Sequence, residues 1–138
     1  MRPIYERAED RVRQREVIDA FCAAYGGACD ERVALCAWDY DLTYRGARVA
    51  LAEVKVRTNA IGAYPTYMIS RRKLADLVRE ADRYAVVPLL IVRWSDARGW
   101  WRVRLEQAQA GVGGRVDRGD PADIEAVALI GTARFTRF

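Results

Sequence analysis

The sequence predicts an α/β fold in which helices flank a mixed central sheet, in the order helix, three strands, helix, two or three strands. Three patterns support it: two segments with helical spacing of apolar residues, a strictly alternating pair of segments between them, and a near-continuous apolar run after them. With 138 residues, 51% of them hydrophobic, the chain is long enough to bury one core, so residues 1–138 are expected to form one domain.

The first helix is predicted from about Glu9 to Tyr25. Gly26 and Gly27 supply its end, because glycine readily adopts the left-handed conformation that terminates a helix. The apolar stripe that should face the core consists of Val17, Ile18, Phe21, Cys22 and Tyr25.

Two alternating segments, residues 38–44 and 48–57, predict a β-hairpin that positions the chemically important side chains. In the first, Asp39, Asp41 and Thr43 share one side, opposite Trp38, Tyr40, Leu42 and Tyr44; in the second, Val49, Leu51, Glu53, Lys55 and Arg57 share one side. A two-residue loop would put Asp41 and Glu53 on opposite faces, whereas a three-residue loop ending in an αL Gly46 puts them on the same face. We predict the three-residue loop.

The remaining elements follow from turn residues and apolar spacing. Residues 33–38 lead into the hairpin and could be continuous with its first strand, and Ser70 is predicted to cap a helix that ends near Tyr84. The predicted order elsewhere is a loop at 58–66, a doubly buried strand at 85–94, a turn at 95–99, a strand at 100–105, a loop at 110–121 and a last strand at 126–138.

Composition narrows the possible functions. A net charge of +4 and a pI of about 9.2 mildly favour a polyanionic partner such as DNA. The absence of histidine excludes His-based nuclease and Ser-His hydrolase mechanisms, and three cysteines without a CxxC pair argue against zinc and a disulfide framework. No apolar run reaches the ~20 residues of a membrane span and no signal peptide opens the chain, so a cytoplasmic protein with no membrane partner and reduced, mostly buried thiols is expected.

Asp41, Glu53 and Lys55 form the candidate catalytic group. Two carboxylates can hold Mg²⁺, or Mn²⁺, and the ion would offset phosphate charge and acidify an attacking water, while Lys55 could orient that water or stabilise the developing charge. Asp39, on the same face, is the rival metal ligand. An ordinary ion pair between Glu53 and Lys55 explains their spacing equally well, but Lys55 and Lys73 are the only lysines in an arginine-rich chain, which favours a specific role for Lys55.

The spacing of Asp41, eleven residues, then Glu53-Val54-Lys55 resembles the D…ExK signature of the PD-(D/E)XK nuclease superfamily, closest in look to Holliday-junction resolvases of archaeal type. The resemblance covers residues 13–105; the proline that often precedes the motif aspartate is replaced by Tyr40. It implies a restriction-endonuclease-like αβββαβ core, a metal-dependent endodeoxyribonuclease activity and a further catalytic role for Glu16, with Glu9 as its rival. A homodimer that presents two cutting sites is one arrangement that it suggests.

The loop and helix after the hairpin provide candidate DNA contacts. A cap followed at once by three basic residues is a plausible phosphate cradle, although a solvated basic first turn is the alternative. Trp94, Trp100 and Trp101 could stack on unpaired bases, but strand spacing favours the core. The residues expected to bind nucleic acid are Arg57, Tyr67, Ser70, Arg71, Arg72 and Lys73.

Three functions are consistent with the sequence. The first is a Mg²⁺-dependent endonuclease that cuts branched or otherwise structured DNA. The second is the same chemistry on another DNA, as in a phage, mobile-element or restriction-type nuclease. The third is a nucleic-acid-binding module that keeps the fold without turnover, against which the intact set Asp41, Glu53 and Lys55 argues.

Overall fold

The computed structural model describes residues 8–32, 36–114 and 124–138. The two helices and nine strands of these ranges are, in chain order, α1 (Ala8–Tyr25), β1 (Ala28–Glu31), β2 (Tyr40–Tyr44), β3 (Ala47–Val56), β4 (Thr66–Ser70), α2 (Arg71–Arg83), β5 (Val87–Arg93), β6 (Arg98–Arg102), β7 (Gln109–Gly114), β8 (Ile124–Gly131) and β9 (Thr136–Arg137). No described helix is long and apolar enough to cross a membrane.

The main sheet has six strands in the order β1-β2-β3-β5-β6-β9, and its central pair, β3 and β5, is parallel while the other pairs are antiparallel. Val17 and Ile18 of α1 pack on one face of this sheet, and Leu74 and Leu77 of α2 pack on the other. A second antiparallel sheet, β4-β8-β7, joins the α2 side of the core. The predicted α/β fold with a mixed sheet flanked by helices is therefore confirmed.

The β2–β3 hairpin differs from the predicted one at its turn. Tyr44 pairs with Ala47, so the loop has two residues, Arg45 and Gly46, both with positive φ (50° and 79°). The extra residue lies further down the ladder, where the register shifts between Leu42 and Thr43 and Val49 has no partner. The predicted three-residue loop was wrong. The bulge nevertheless puts Asp41 on the same face of the sheet as Glu53, as that loop would have done, because Asp41 lies opposite Leu51, two residues before Glu53.

Because of the bulge and a bend, two side chains point to other faces than predicted. Val49 lines a groove together with its neighbour Ala50, on the α1 face, instead of sharing the face of Leu51. Residues 37–39 form a bend and not a strand, so Trp38 packs in the α2-side core while Tyr40 packs on the α1 side. Of the predicted lead-in at 33–38, residues 33–35 lie outside the described residues.

The second sheet was only partly predicted. β4 was not predicted, and the segment expected to be a glycine-rich loop forms β7 at Gln109–Gly114, with residues 115–123 outside the described part of the chain. A Cβ atom added at Gly113 would lie 2.8 Å from Val127 Cγ1. Glycine at this position therefore lets β7 pack closely against β8, and it does not mark a loop. The single C-terminal strand predicted at 126–138 is two strands, β8 and β9, separated by a 3₁₀ turn.

The helix ends agree with the prediction, whereas the strand predicted at 100–105 is β6 at Arg98–Arg102 and so includes two residues of the predicted turn. Helix α1 ends at Tyr25, followed by Gly26 and Gly27 with positive φ, and the Ser70 hydroxyl accepts a hydrogen bond from Lys73 N at the start of α2. Trp94 and Trp101 are core residues, while Trp100 donates a hydrogen bond to the Tyr25 hydroxyl (2.9 Å). The three cysteines are free and partly buried, which corrects the expectation of mostly buried thiols.

Candidate active site

The end of β3 brings Glu53 and Lys55 to the edge of the core. Leu51, on the same face, is fully buried, Glu53 is 7% exposed, and Lys55 is half-buried. The Lys55 Nζ lies 3.2 Å from Glu53 Oε1. This gradient arises because the α2-side core covers the face only as far as Leu51, so the next two residues on it reach the boundary with solvent.

Asp39 lies beside this pair on the neighbouring chain segment. Its backbone N donates to Ala52 O (2.9 Å), and its Oδ2 accepts a hydrogen bond from Val54 N (2.8 Å). The last ladder pair is Tyr40 with Ala52, and Asp39 is the residue just before Tyr40; its two hydrogen bonds, to Ala52 and from Val54, hold it against the β3 backbone on either side of Glu53. Asp39 and Glu53 are therefore adjacent carboxylates at the strand end.

Asp41 has a different environment. The Trp38 indole donates to its Oδ1 (2.7 Å), Arg32 Nη1 lies 3.3 Å from its Oδ2, and Arg48 Nη1 lies 3.7 Å from its Oδ1. It is opposite Leu51, which places it two strand residues, about 7 Å, from the position beside Glu53. The structure thus surrounds Asp41 with cationic and N–H donors and leaves Asp39 as the nearer neighbour of Glu53.

The two lysines meet at this strand end. Lys55 from β3 and Lys73 from the first turn of α2 line the same groove. Burial would lower the pKa of Lys55, but Glu53 and Asp39 outweigh it and raise that pKa above its ordinary value. Burial and then the adjacent Lys55 ammonium lower the pKa of Lys73, an effect that Glu53 and Asp39 partly oppose. Two carboxylates and two ammonium groups therefore share one site.

Glu16 is not part of this cluster. Helix α1 packs on the face opposite Glu53, and Glu16 Oε2 lies 3.4 Å from Arg93 Nη1 on that face. The catalytic role of Glu16 stays a prediction, and the side-chain contact that the described residues show for Glu16 is the one with Arg93. The rival Glu9 belongs to the exposed first turn of the same helix.

The candidate DNA-binding residues divide between surface and core. Tyr67 is buried, and its hydroxyl accepts a hydrogen bond from Arg57 Nη2 (2.9 Å), so it supports Arg57 instead of facing a ligand. Burial also raises the pKa of the Tyr67 hydroxyl. Arg71 does not line the groove. A groove of about 680 Å³, here called the Lys55 groove, is lined by Lys55, Arg57, Ser70, Arg72 and Lys73, with Met68, Asp76 and Glu125 among its other walls.

Sequence reasoning missed the contribution of the second sheet. Glu125 of β8 accepts a hydrogen bond from the Ser70 hydroxyl (3.2 Å) and closes one side of the Lys55 groove. No local pattern could indicate this contact, because 55 residues separate the two partners and the pairing of β4 with β8 brings them together.

The donor set fits a hard divalent cation that keeps much of its water. Asp39 and Glu53 offer carboxylate oxygens at one edge of a groove, and oxygen ligands are those that Mg²⁺ and Mn²⁺ prefer. Among the described residues no group of three or more His, Cys, Asp or Glu side chains could hold a metal. A cation here would take its remaining ligands from water, backbone oxygen or substrate.

The comparison with protein families decides the classification. The sequence matches the family model of the phage PDDEXK endonucleases over residues 1–138. The chain belongs to this family. Among solved structures, the PDDEXK fold seen here is similar to that of Hjc from Archaeoglobus fulgidus, a Holliday junction resolvase, with a TM-score of 0.61 and 13% identity over 92% of this chain and 90% of that chain. No curated protein matches the sequence.

Proposed function

We propose that this chain is a Mg²⁺- or Mn²⁺-dependent endonuclease that hydrolyses phosphodiester bonds in branched or otherwise structured DNA. The observation that carries the proposal is the convergence of Asp39, Glu53 and Lys55 at one end of β3, beside the basic Lys55 groove. Membership of a PDDEXK endonuclease family supports the nuclease chemistry.

Each residue at this strand end has a role that its position allows. Asp39 and Glu53 would hold the cation, with Asp39 taking the part that the sequence motif assigns to Asp41. When bound, such an ion offsets charge on the scissile phosphate and acidifies a water. The Lys55 ammonium, held 3.2 Å from Glu53, lies where it can orient that water and stabilise the negative charge that builds on the phosphate.

The Lys55 groove supplies the phosphate contacts in this proposal. Arg57, Arg72 and Lys73 place positive charge along one wall, and the Ser70 hydroxyl and the first turn of α2 add hydrogen-bond donors. These cations oppose the helix dipole of α2, and a bound phosphate would relieve that repulsion. Such contacts position DNA but carry no sequence information, so recognition by shape is expected.

A branched substrate is the preferred choice for two reasons. One solved structure with a similar fold is that of a Holliday junction resolvase, and a groove whose cations would contact phosphate suits recognition of shape. A homodimer would present two such sites to two strands. The description of the family as phage endonucleases keeps linear phage or host DNA as the second candidate substrate.

The test is cleavage of a DNA panel with and without the metal. Linear duplex, flapped and four-way-branched DNAs of matched sequence are incubated with the protein in Mg²⁺, in Mn²⁺ and in EDTA. We expect cutting of the branched DNAs in either metal and none in EDTA. Equal cutting of linear DNA selects the second substrate, cutting in EDTA contradicts the metal requirement, and binding without cutting under all conditions contradicts the nuclease proposal. Sedimentation of the complex with branched DNA reports whether one or two chains bind.

Lys73 provides a separate prediction about the groove. Lys73→Ala removes one cation that contacts phosphate, so the slope of log K for DNA binding against log salt concentration should become shallower by about 1. Arg83→Ala is the matched control, because Arg83 lies in the last turn of the same helix and is paired with Glu80 (3.9 Å). Binding isotherms at several salt concentrations measure both. An unchanged slope in Lys73→Ala would show that DNA does not follow this wall.

A further inference from the structure

A second groove continues from the Lys55 groove along β4. This Tyr64 groove, of about 440 Å³, is lined by Asn59, Tyr64, Pro65 and Trp94 and shares Arg57 and Met68 with the Lys55 groove. Its volume falls within the range of small-ligand sites, about 300–1,000 Å³. The two grooves together form one continuous surface cleft, with cations at one end and an aromatic surface at the other.

The aromatic end is exposed. Tyr64 is 64% exposed and Met68 is 49% exposed, although both are large and mostly apolar side chains. Tyrosine offers a flat face for stacking and a hydroxyl that tolerates water, so an exposed tyrosine beside a cationic groove suits a ligand that is itself flat and polar at its edge.

The loop that carries Tyr64 is fixed before any ligand arrives. Three hydrogen bonds donated by backbone N–H groups, two to backbone carbonyls and one to a carboxylate, attach it to the turn between β5 and β6 and to the end of β8, so the groove keeps its shape without ordering on binding. These bonds are Ser95 N to Asn59 O (3.0 Å), Ile61 N to Asp96 Oδ1 (2.9 Å) and Thr132 N to Pro65 O (3.0 Å).

Arg57 joins the two grooves and determines which ligand fits both. Its guanidinium lies 4.8 Å from the centre of the Tyr67 ring and donates hydrogen bonds to the Tyr67 hydroxyl (2.9 Å) and to Met68 O (3.2 Å). These contacts hold the guanidinium in one position. A nucleotide has the matching order of groups, a phosphate for the cation and a base for the aromatic wall. A paired base is stacked within its duplex and cannot enter, whereas an unpaired base can.

We propose that the Tyr64 groove binds an unpaired nucleobase of DNA whose phosphates lie along the Lys55 groove, with the base stacked on Tyr64. This proposal rests on the proposed function, which places the DNA phosphates along the Lys55 groove. The feature recognised is a single-stranded nucleotide next to the cleavage site. Asn59, in the same wall, carries an amide that can reach a base edge.

The test measures binding in Ca²⁺, without Mg²⁺, so that cleavage does not interfere. Two DNAs of equal length are compared, a blunt duplex and a duplex with a single-stranded flap that carries 2-aminopurine. The wild-type protein is expected to bind the flapped DNA more tightly and to quench its fluorescence. Tyr64→Ala should weaken binding of the flapped DNA about tenfold, remove the quenching and leave duplex binding unchanged, because one base–aromatic stack is lost.

Two variants control the experiment. Tyr64→Phe keeps the ring and should behave as wild type, and Tyr44→Ala removes a tyrosine of similar exposure (49%) that lines a groove on the other side of the sheet. The inference is overturned if Tyr64→Ala binds both DNAs as wild type does, weakens both equally, or if the wild type shows no preference for the flap. A Tyr64-dependent preference without cleavage in Mg²⁺ would contradict only the nuclease proposal, and cleavage without a Tyr64 effect only this one.

Discussion

Asp39→Asn is expected to lower the rate of Mg²⁺-dependent DNA cleavage about 10²-fold or more, because it deletes one of the two adjacent carboxylates proposed to hold the cation. The fold should persist, since the asparagine oxygen can still accept the hydrogen bond from Val54 N. Single-turnover cleavage of the preferred DNA, with binding measured in parallel in Ca²⁺, gives the effect on chemistry apart from binding.

Asp41→Asn is the matched variant, and its expected effect is on stability. The change removes the charge that faces Arg32 and Arg48, while the Trp38 indole can still donate to the remaining oxygen. Both arginines are about a third exposed (38% and 34%), so solvent screening should limit the loss in the free energy of unfolding to about 1 kcal/mol. Urea denaturation measures it.

The two variants together distinguish the candidate ligands. Loss of cleavage in Asp39→Asn with activity retained in Asp41→Asn supports the pairing of Asp39 with Glu53. The reverse result would return the metal to Asp41, as the D…ExK spacing alone suggests, and would require Arg32 and Arg48 to release it.

Lys55→Arg should fold normally, bind DNA and cut about 10²-fold more slowly than wild type. Lys55 is half-buried beside Glu53 and shares the groove with Lys73, so the space at the strand end suits one compact ammonium and not a broad guanidinium fork. Lys55→Ala, which removes the charge altogether, should cut at least as poorly. Rates are measured at saturating DNA so that binding does not contribute.

An ordinary ion pair predicts a different result for the same variants. If Lys55 serves only to neutralise Glu53, arginine should replace it without loss of cleavage, and alanine should reduce the free energy of unfolding by only about 0–1 kcal/mol. Wild-type cleavage by Lys55→Arg would therefore remove Lys55 from the catalytic group. Lys73→Arg is the control for guanidinium substitution in the same groove, and it should keep most of the activity because a phosphate contact tolerates either cation.

Local patterns in the sequence determined much of this protein. Alternation over two residues placed Leu51, Glu53 and Lys55 on one face of β3, because successive side chains of a strand must point to opposite sides. The cap at Ser70 and the apolar spacing after it determined α2 in the same way, since both depend only on neighbours within one turn. The scarcity of lysine also indicated Lys55 before any contact was known.

Only the tertiary structure decided which groups meet. The register of the hairpin depends on where the bulge lies, and its position at Val49 puts Asp39, not Asp41, beside Glu53. Helix α1 crosses the opposite face of the sheet, so Glu16 pairs with Arg93 instead. The packing of α2 brings Lys73 to Lys55. Periodicity specifies the face of a side chain but not its partner across space, because that partner depends on strand register and on how distant elements pack.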